Sequence, residues 1–167
     1  MEVHQVSLIK QHMSKSITED ELLIGLNLEP SNLSVFVNTT LQNAYSLNDS
    51  EAVDLILYLG FVFEVFTEDF VSILCKLLEI EWHYKHEDIA RLLQRFKSPY
   101  SIDSLFKVAT RKLSYLEYNE SSALARKCIY ALGDINSDES RIKLEILSNS
   151  SEDLIKEFAL KQLDRRI

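Results

Sequence analysis

The residues best suited to chemistry lie in one short segment. His83 and His86 are followed directly by Glu87 and Asp88, and Trp82 and Tyr84 are interleaved with them. Two imidazoles three positions apart share a face if the segment is helical, and with the carboxylates they would make a nitrogen and oxygen ligand set for one metal ion. The His-Glu-x-x-His pattern of zinc enzymes is absent, however, and neither cysteine lies nearby in sequence. The local pattern reads as a turn in which Asp88 caps a helix opening near Ile89, so neither a metal nor any other cofactor is expected. A second group, Glu51, Asp54, Glu64, Glu68 and Asp69, flanks a helix junction. Paired carboxylates can hydrolyse a bond when an apolar cleft surrounds them, and no such cleft is legible around these. They read as an acidic surface patch.

Nucleophiles fare no better. Serines and threonines are plentiful, but none sits in a Gly-x-Ser-x-Gly elbow, and the three glycines, Gly25, Gly60 and Gly133, are too far apart for a phosphate-binding loop. Cys75 and Cys128 lie among apolar neighbours at helical spacing and read as buried free thiols, which suits a reducing compartment and a cytoplasmic location.

The elements that must position these residues follow from composition and period. Apolar residues make up 46% of the 167 positions, enough for a continuous core in a single domain spanning 1–167, and only three glycines and two prolines supply turns. That scarcity disfavours a sandwich or barrel of short strands and favours an all-α fold. Residues Met1 to Lys10 lack the basic cluster and apolar core of a secretory signal, and the apolar run Leu55 to Phe63 is far shorter than the ~20 residues of a membrane span. Without secretion, triplets such as Asn38-Thr39-Thr40 and Asn119-Glu120-Ser121 carry no glycosylation meaning.

Periodicity predicts helices from about His4 to Met13, after the capping box Thr18 to Glu21, from Pro30 to about Tyr45 with Leu33, Val37 and Leu41 buried, and after an Asp49 or Asn48 cap. This fourth helix is apolar on nearly every side, from Ala52 to Phe63, as befits the middle of a bundle. Thr67 is expected to cap the next helix, with Phe70, Ile73, Leu74, Leu77 and Leu78 as its buried stripe. The segment Trp82 to His86 then breaks the pattern.

Beyond it the chain repeats. Leu124, Cys128, Ala131 and Leu132 stand 31 positions before Ile155, Ala159, Gln162 and Leu163. Gly133-Asp134-Ile135-Asn136 reads as a helix stop, and Ile142, Leu144, Ile146 and Leu147 as a second helix. A looser copy has Ile89, Leu92, Leu93 and Phe96, a Ser98-Pro99 break, then Ile102, Leu105, Phe106 and Ala109.

The stretch from Leu124 through Ala131-Leu132-Gly133 to Leu147 resembles the HEAT-like repeat of the kind first described in phycobilin lyases. The resemblance is good over 121–147, fair over 152–163, weak over 86–116 and absent earlier; Gln162 and Asp164 replace the usual small residue and glycine. It implies a right-handed α-α superhelix, a HEAT-like or ARM-like stack of helical hairpins over 86–167, preceded by acidic helices over 1–80. Such stacks bind other macromolecules and carry no activity by virtue of the fold.

Charge narrows the partner. The net charge is −8; residues 1–80 hold three lysines against twelve carboxylates, a balance of −9, while 81–167 hold fifteen bases against fourteen acids, a balance of +1. Phosphate binding draws on clustered Lys and Arg, so nucleic acid is disfavoured. The expected function is a non-catalytic protein-binding module, in its most concrete form a bacterial immunity protein that neutralises a basic toxin domain, with a general adaptor or scaffold as the alternative. Glu51, Asp54, Glu64, Glu68 and Asp69, with Trp82, Tyr84 and Tyr100 as aromatic anchors, are the candidate partner-binding residues. A HEAT-like enzyme acting on bases or a chromophore would instead need Glu87 or Asp88 as a perturbed acid beside Trp82 and Tyr84.

Overall fold

The structure is a computed structural model that describes residues 1–111 and 118–165, the side chains of 118–121 excepted. Ten α-helices and no strand occur among the described residues. They form two compact units, residues 1–66 and 67–167. The division falls at Phe66 and Thr67, so the helix opening near Phe70, grouped with the acidic helices by sequence, belongs with the repeats.

The first unit comprises α1 (Val3–Met13), α2 (Glu19–Leu26), α3 (Leu33–Leu47) and α4 (Ser50–Val62). Their ends are set by local chemistry. The Glu21 amide donates to Thr18 Oγ1 at 3.2 Å while the Thr18 amide donates to Glu21 Oε2 at 2.8 Å, which satisfies two of the donors that a helix start leaves over. Asp49 Oδ1 accepts the Ala52 amide at 3.0 Å and starts α4. Asn27 and Asn48 stop α2 and α3 in the left-handed region, at φ 52° and 54°. As its composition foretells, α4 buries Ala52, Val53, Leu55, Ile56, Leu57, Leu59 and Gly60, and it packs against both α1 and α3. Thr18→Ala is expected to cost about 1 kcal/mol, the usual value of an N-cap, and Thr18→Ser close to nothing; urea denaturation of the two variants checks this.

The second unit comprises α5 (Val71–Glu79), α6 (His86–Phe96), α7 (Ile102–Ala109), α8 (Tyr118–Ile135), α9 (Asp138–Leu147) and α10 (Asp153–Asp164). Here α8 is central and packs against α6, α7, α9 and α10, while α5 packs against α6 and α7, and α7 against α9. Alternate helices are therefore neighbours: α6, α8 and α10 on one side, α5, α7 and α9 on the other. The repeat positions supply the core, since Ile89, Leu92, Leu93, Ile102, Leu105, Ala109, Leu124, Cys128, Ala131, Leu132, Leu144, Leu147 and Ala159 are all buried.

Polar side chains join the same alternate helices. Gln94 Nε2 donates to Asp134 Oδ2 at 2.7 Å, Lys127 pairs with Glu87, and Arg165 reaches Asp134 Oδ1 at 3.2 Å, linking α6 to α8 to the end of α10. On the other side Glu79, at the end of α5, accepts Ser104 Oγ at 2.7 Å and Lys107 Nζ at 2.5 Å from α7. The Lys107 ammonium, first, and the Ser104 hydroxyl hold its carboxyl below the ordinary range. Lys143 of α9 pairs with Asp103 of α7 at 2.7 Å, its ammonium 4.8 Å from the centre of the Phe106 ring.

Several local expectations are corrected. Helix α8 runs through Gly133 to Ile135, and the left-handed residue after it is Asn136, at φ 51°; no glycine has positive φ among the described residues. Thr67 makes no capping bond; a 3-10 turn, Glu68–Phe70, leads into α5 instead. Asp88 lies inside the first turn of α6, because the helix already starts at His86. In α9, Leu144 and Leu147 are buried but Ile142 and Ile146 are more than half exposed, so only one edge of that helix meets the core. Residues 112–117, part of the loosest repeat copy, lie outside the described residues, as do the side chains of the Asn119 triplet.

Candidate protein-binding surface

The candidate acids divide between the two units. In the first, Glu51 and Asp54 are three positions apart in α4 and so share a face. Glu51 is exposed and tied to Lys10 of α1, Nζ to Oε1 2.5 Å. Asp54 is half-buried. Glu64 follows the end of α4 at φ 52° and is exposed. In the second unit, Glu68 and Asp69 form the exposed turn that enters α5, where carboxylates suit the positive end of the helix dipole.

The first unit also has two openings that these acids do not line, and neither is legible in sequence. A groove of about 470 Å³ is lined by Gln5 of α1, Phe36, Thr40, Asn43 and Leu47 of α3, and Asp49. A second, of about 620 Å³, lies at the turn from α1 to α2 among His12, Met13, Thr18, Glu21 and Tyr58. Within it His12 Nδ1 and the Tyr58 hydroxyl are hydrogen-bonded at 2.8 Å. The two residues are 46 positions apart and belong to no motif, so only the packing of α1 on α4 reveals the pair. The Glu21 carboxylate is already engaged by the Thr18 amide and hydroxyl. What these openings offer a partner is shape, hydrogen-bonding groups and apolar rims, Leu47 being 72% exposed.

The aromatic candidates are placed unequally. Trp82 is half-buried with its ring set edge-on to His83 at 5.5 Å, whereas Tyr84 and Tyr100 are 70% and 68% exposed. Exposed tyrosines bring large apolar area with a polar tip and little rotamer entropy, which suits contact with a protein.

The histidines do different work from that of ligands. His83 and His86 are fully buried and stacked, ring centres 4.2 Å apart and planes inclined by 18°. His83 Nε2 donates to the Leu77 carbonyl at 2.8 Å, and His83 Nδ1 accepts the Lys85 amide at 3.0 Å, so both nitrogens of a neutral ring are used. His86 Nε2 donates to the Ile80 carbonyl at 2.5 Å. These carbonyls belong to the end of α5, whose last turn lacks intrahelical donors. Glu87 is ion-paired with Lys127, and among the described residues no three His, Cys, Asp or Glu side chains are grouped to hold a metal ion. Cys75 and Cys128 are free and buried, as expected, and burial raises their thiols to about 11 and about 12, too high for a thiolate nucleophile at neutral pH. No helix among the described residues is long and apolar enough to cross a membrane.

No family model, no curated protein and no solved structure matches the chain.

Proposed function

We propose that this protein is a non-catalytic binding module whose acidic first unit docks a basic protein, and in its most concrete form an immunity protein that masks a toxin domain in the cytoplasm. One observation carries the reading. Residues 1–66 hold nine carboxylates against only Lys10 and Lys15, so the unit cannot neutralise itself and keeps a negative field that attracts and orients a basic surface. The exposed acids Glu51 and Glu64, with the half-buried Asp54, lie in this same unit.

The second unit serves, on this reading, as a HEAT-like stack of hairpins in a right-handed superhelix that presents the exposed Tyr84 and Tyr100. Two features support it: the alternate packing of α6, α8 and α10 and of α5, α7 and α9, and the polar links that join those same helices. A general adaptor uses the same surface and differs only in its partner.

The test is capture of partners by the tagged protein from its own source, followed by titration of the purified complex. A stoichiometric basic protein is expected, weakened roughly tenfold by Glu51→Lys with Asp54→Lys and weakened further by salt. Exposed ion pairs such as Lys10 with Glu51 contribute about 0–1 kcal/mol, so the double variant should still fold. Absence of a specific protein partner, or a partner indifferent to both salt and the charge reversal, would remove the reading.

A further inference from the structure

The stacked histidines are themselves buried, beside the candidate anchors Trp82 and Tyr84 in sequence, and their geometry is sensitive to protonation. We propose that His83 and His86 form an acid-sensitive latch that ties the connection between α5 and α6 to the end of α5, closed while both rings are neutral and released when they protonate.

The bonding pattern fixes the sign. His83 can accept the Lys85 amide only through an unprotonated Nδ1, so a proton there turns acceptor into donor and sets two N-H groups against each other. The same proton places positive charge on a ring stacked at 4.2 Å on another imidazole, with no water to screen it since both side chains are fully buried. Among the described residues most of the charged groups nearby are engaged elsewhere. Glu81, in the connection, and Arg111, beyond α7, act on His86, but they are paired with each other and Arg111 also donates to the Glu79 carbonyl at 2.6 Å. Glu79 is held by Ser104 and Lys107 of α7, and Glu87 of α6 by Lys127 of α8. Lys85, in the connection, adds a further positive charge beside His83 in sequence, and Asp88 is half-buried in the first turn of α6.

Burial, and next the neighbouring His86, pushes His83 down to about 4 from 6.5, and burial likewise lowers His86. The open connection therefore binds more protons than the closed one between those values. The latch is fully closed above about pH 6.5 and weakens as pH falls towards 4, by up to roughly tenfold per pH unit for each ring that takes up a proton.

Trp82 makes the device observable, because it is the protein's single tryptophan and its ring lies edge-on to His83 at 5.5 Å. The experiment follows Trp82 emission, far-UV circular dichroism and exchange of the Lys85 amide, corrected for its intrinsic rate, in the full chain from pH 7.5 to 4.5. The expected result is a shift in Trp82 emission and at least a tenfold loss of Lys85 protection, while helix content holds. His83→Gln keeps a donor for Leu77 and an acceptor for Lys85 without titrating, and should hold Trp82 and Lys85 steady over the same range. If His83→Gln fails to fold at pH 7.5, His86→Gln is read in its place; it removes one of the two titrating rings and a charge beside His83, so the Trp82 and Lys85 transition should become shallower without disappearing. Trp82 and Lys85 unmoved in the parent protein, or an identical transition in the folded variant, would overturn the latch.

Discussion

Replacing Gly60 with alanine destabilises the protein by about 2 kcal/mol, although alanine is the better helix former by about 1 kcal/mol. Gly60 is buried in the last turn of α4, where the chain doubles back and lays Phe66 over it. A Cβ on residue 60 would overlap the Phe66 ring, meeting Cε2 at 2.6 Å and Cε1 at 3.0 Å with Cζ closer still. The ring has little freedom to yield: Phe66 is 3% exposed and stands edge-on to Phe61, centres 5.2 Å apart. Phe66→Ala on its own should cost about 3–5 kcal/mol through lost burial and the cavity left behind. In that background Gly60→Ala should cost nothing or stabilise, since the obstacle is gone and helix propensity remains. Urea denaturation of the four proteins of this cycle, read by circular dichroism, gives the coupling directly. Equal costs of Gly60→Ala with and without Phe66 would show that the ring is not the reason for the glycine.

The second large effect is at Gly133, expected to lose about 1–3 kcal/mol as alanine. Here the neighbour is Gln162 of α10, 1% exposed, whose side chain occupies the place that a Cβ would take, with Cδ and Cγ at 3.0 Å. An amide at the end of a flexible chain could ordinarily step aside. This one is fixed by burial and by Arg165, whose Nη1 donates to its Oε1 at 2.6 Å, while Arg165 also reaches Asp134 and Asp134 accepts Gln94. Moving Gln162 disturbs a chain of bonds through three helices. Its Nε2 already has no hydrogen-bond partner among the described residues, so the site starts with one buried donor unsatisfied there. Gln162→Ala should therefore cancel the penalty of Gly133→Ala, and thermal melts of the single and double variants would reveal it. If the glycine substitution costs the same in both backgrounds, close approach of α8 and α10 is not what requires it.

Gly133 also shows why sequence reasoning reached a sound element and a wrong role for its residue. A glycine followed by Asp, Ile and Asn satisfies every local rule for a helix end, and the helix does end within three residues, at Ile135. The left-handed turn is made by Asn136, however, because the glycine is needed for a contact with a residue 29 positions away. The same limit hid the use of the histidines. Three-residue spacing and nearby acids are what a metal site and a capped helix junction have in common, and only the Leu77 and Ile80 carbonyls distinguish them.

What the sequence determines by itself is what short-range physics controls. Helix identity follows from 3.6-residue periodicity and the lack of turn residues, the starts of α2 and α4 from Thr18, Glu21 and Asp49, and the concentration of negative charge from counting side chains. Burial of Cys75 and Cys128 and of most of α4 follows from apolar composition, although Phe61 of α4 is 39% exposed. The tertiary structure decides what depends on pairs far apart in the chain: the break between units at Phe66, the His12 and Tyr58 pair in its opening, the ion pairs linking alternate helices, and which acids remain exposed. A side chain's partner across 30 or 40 residues is set by how helices settle against one another, and the residue types alone do not encode that distance.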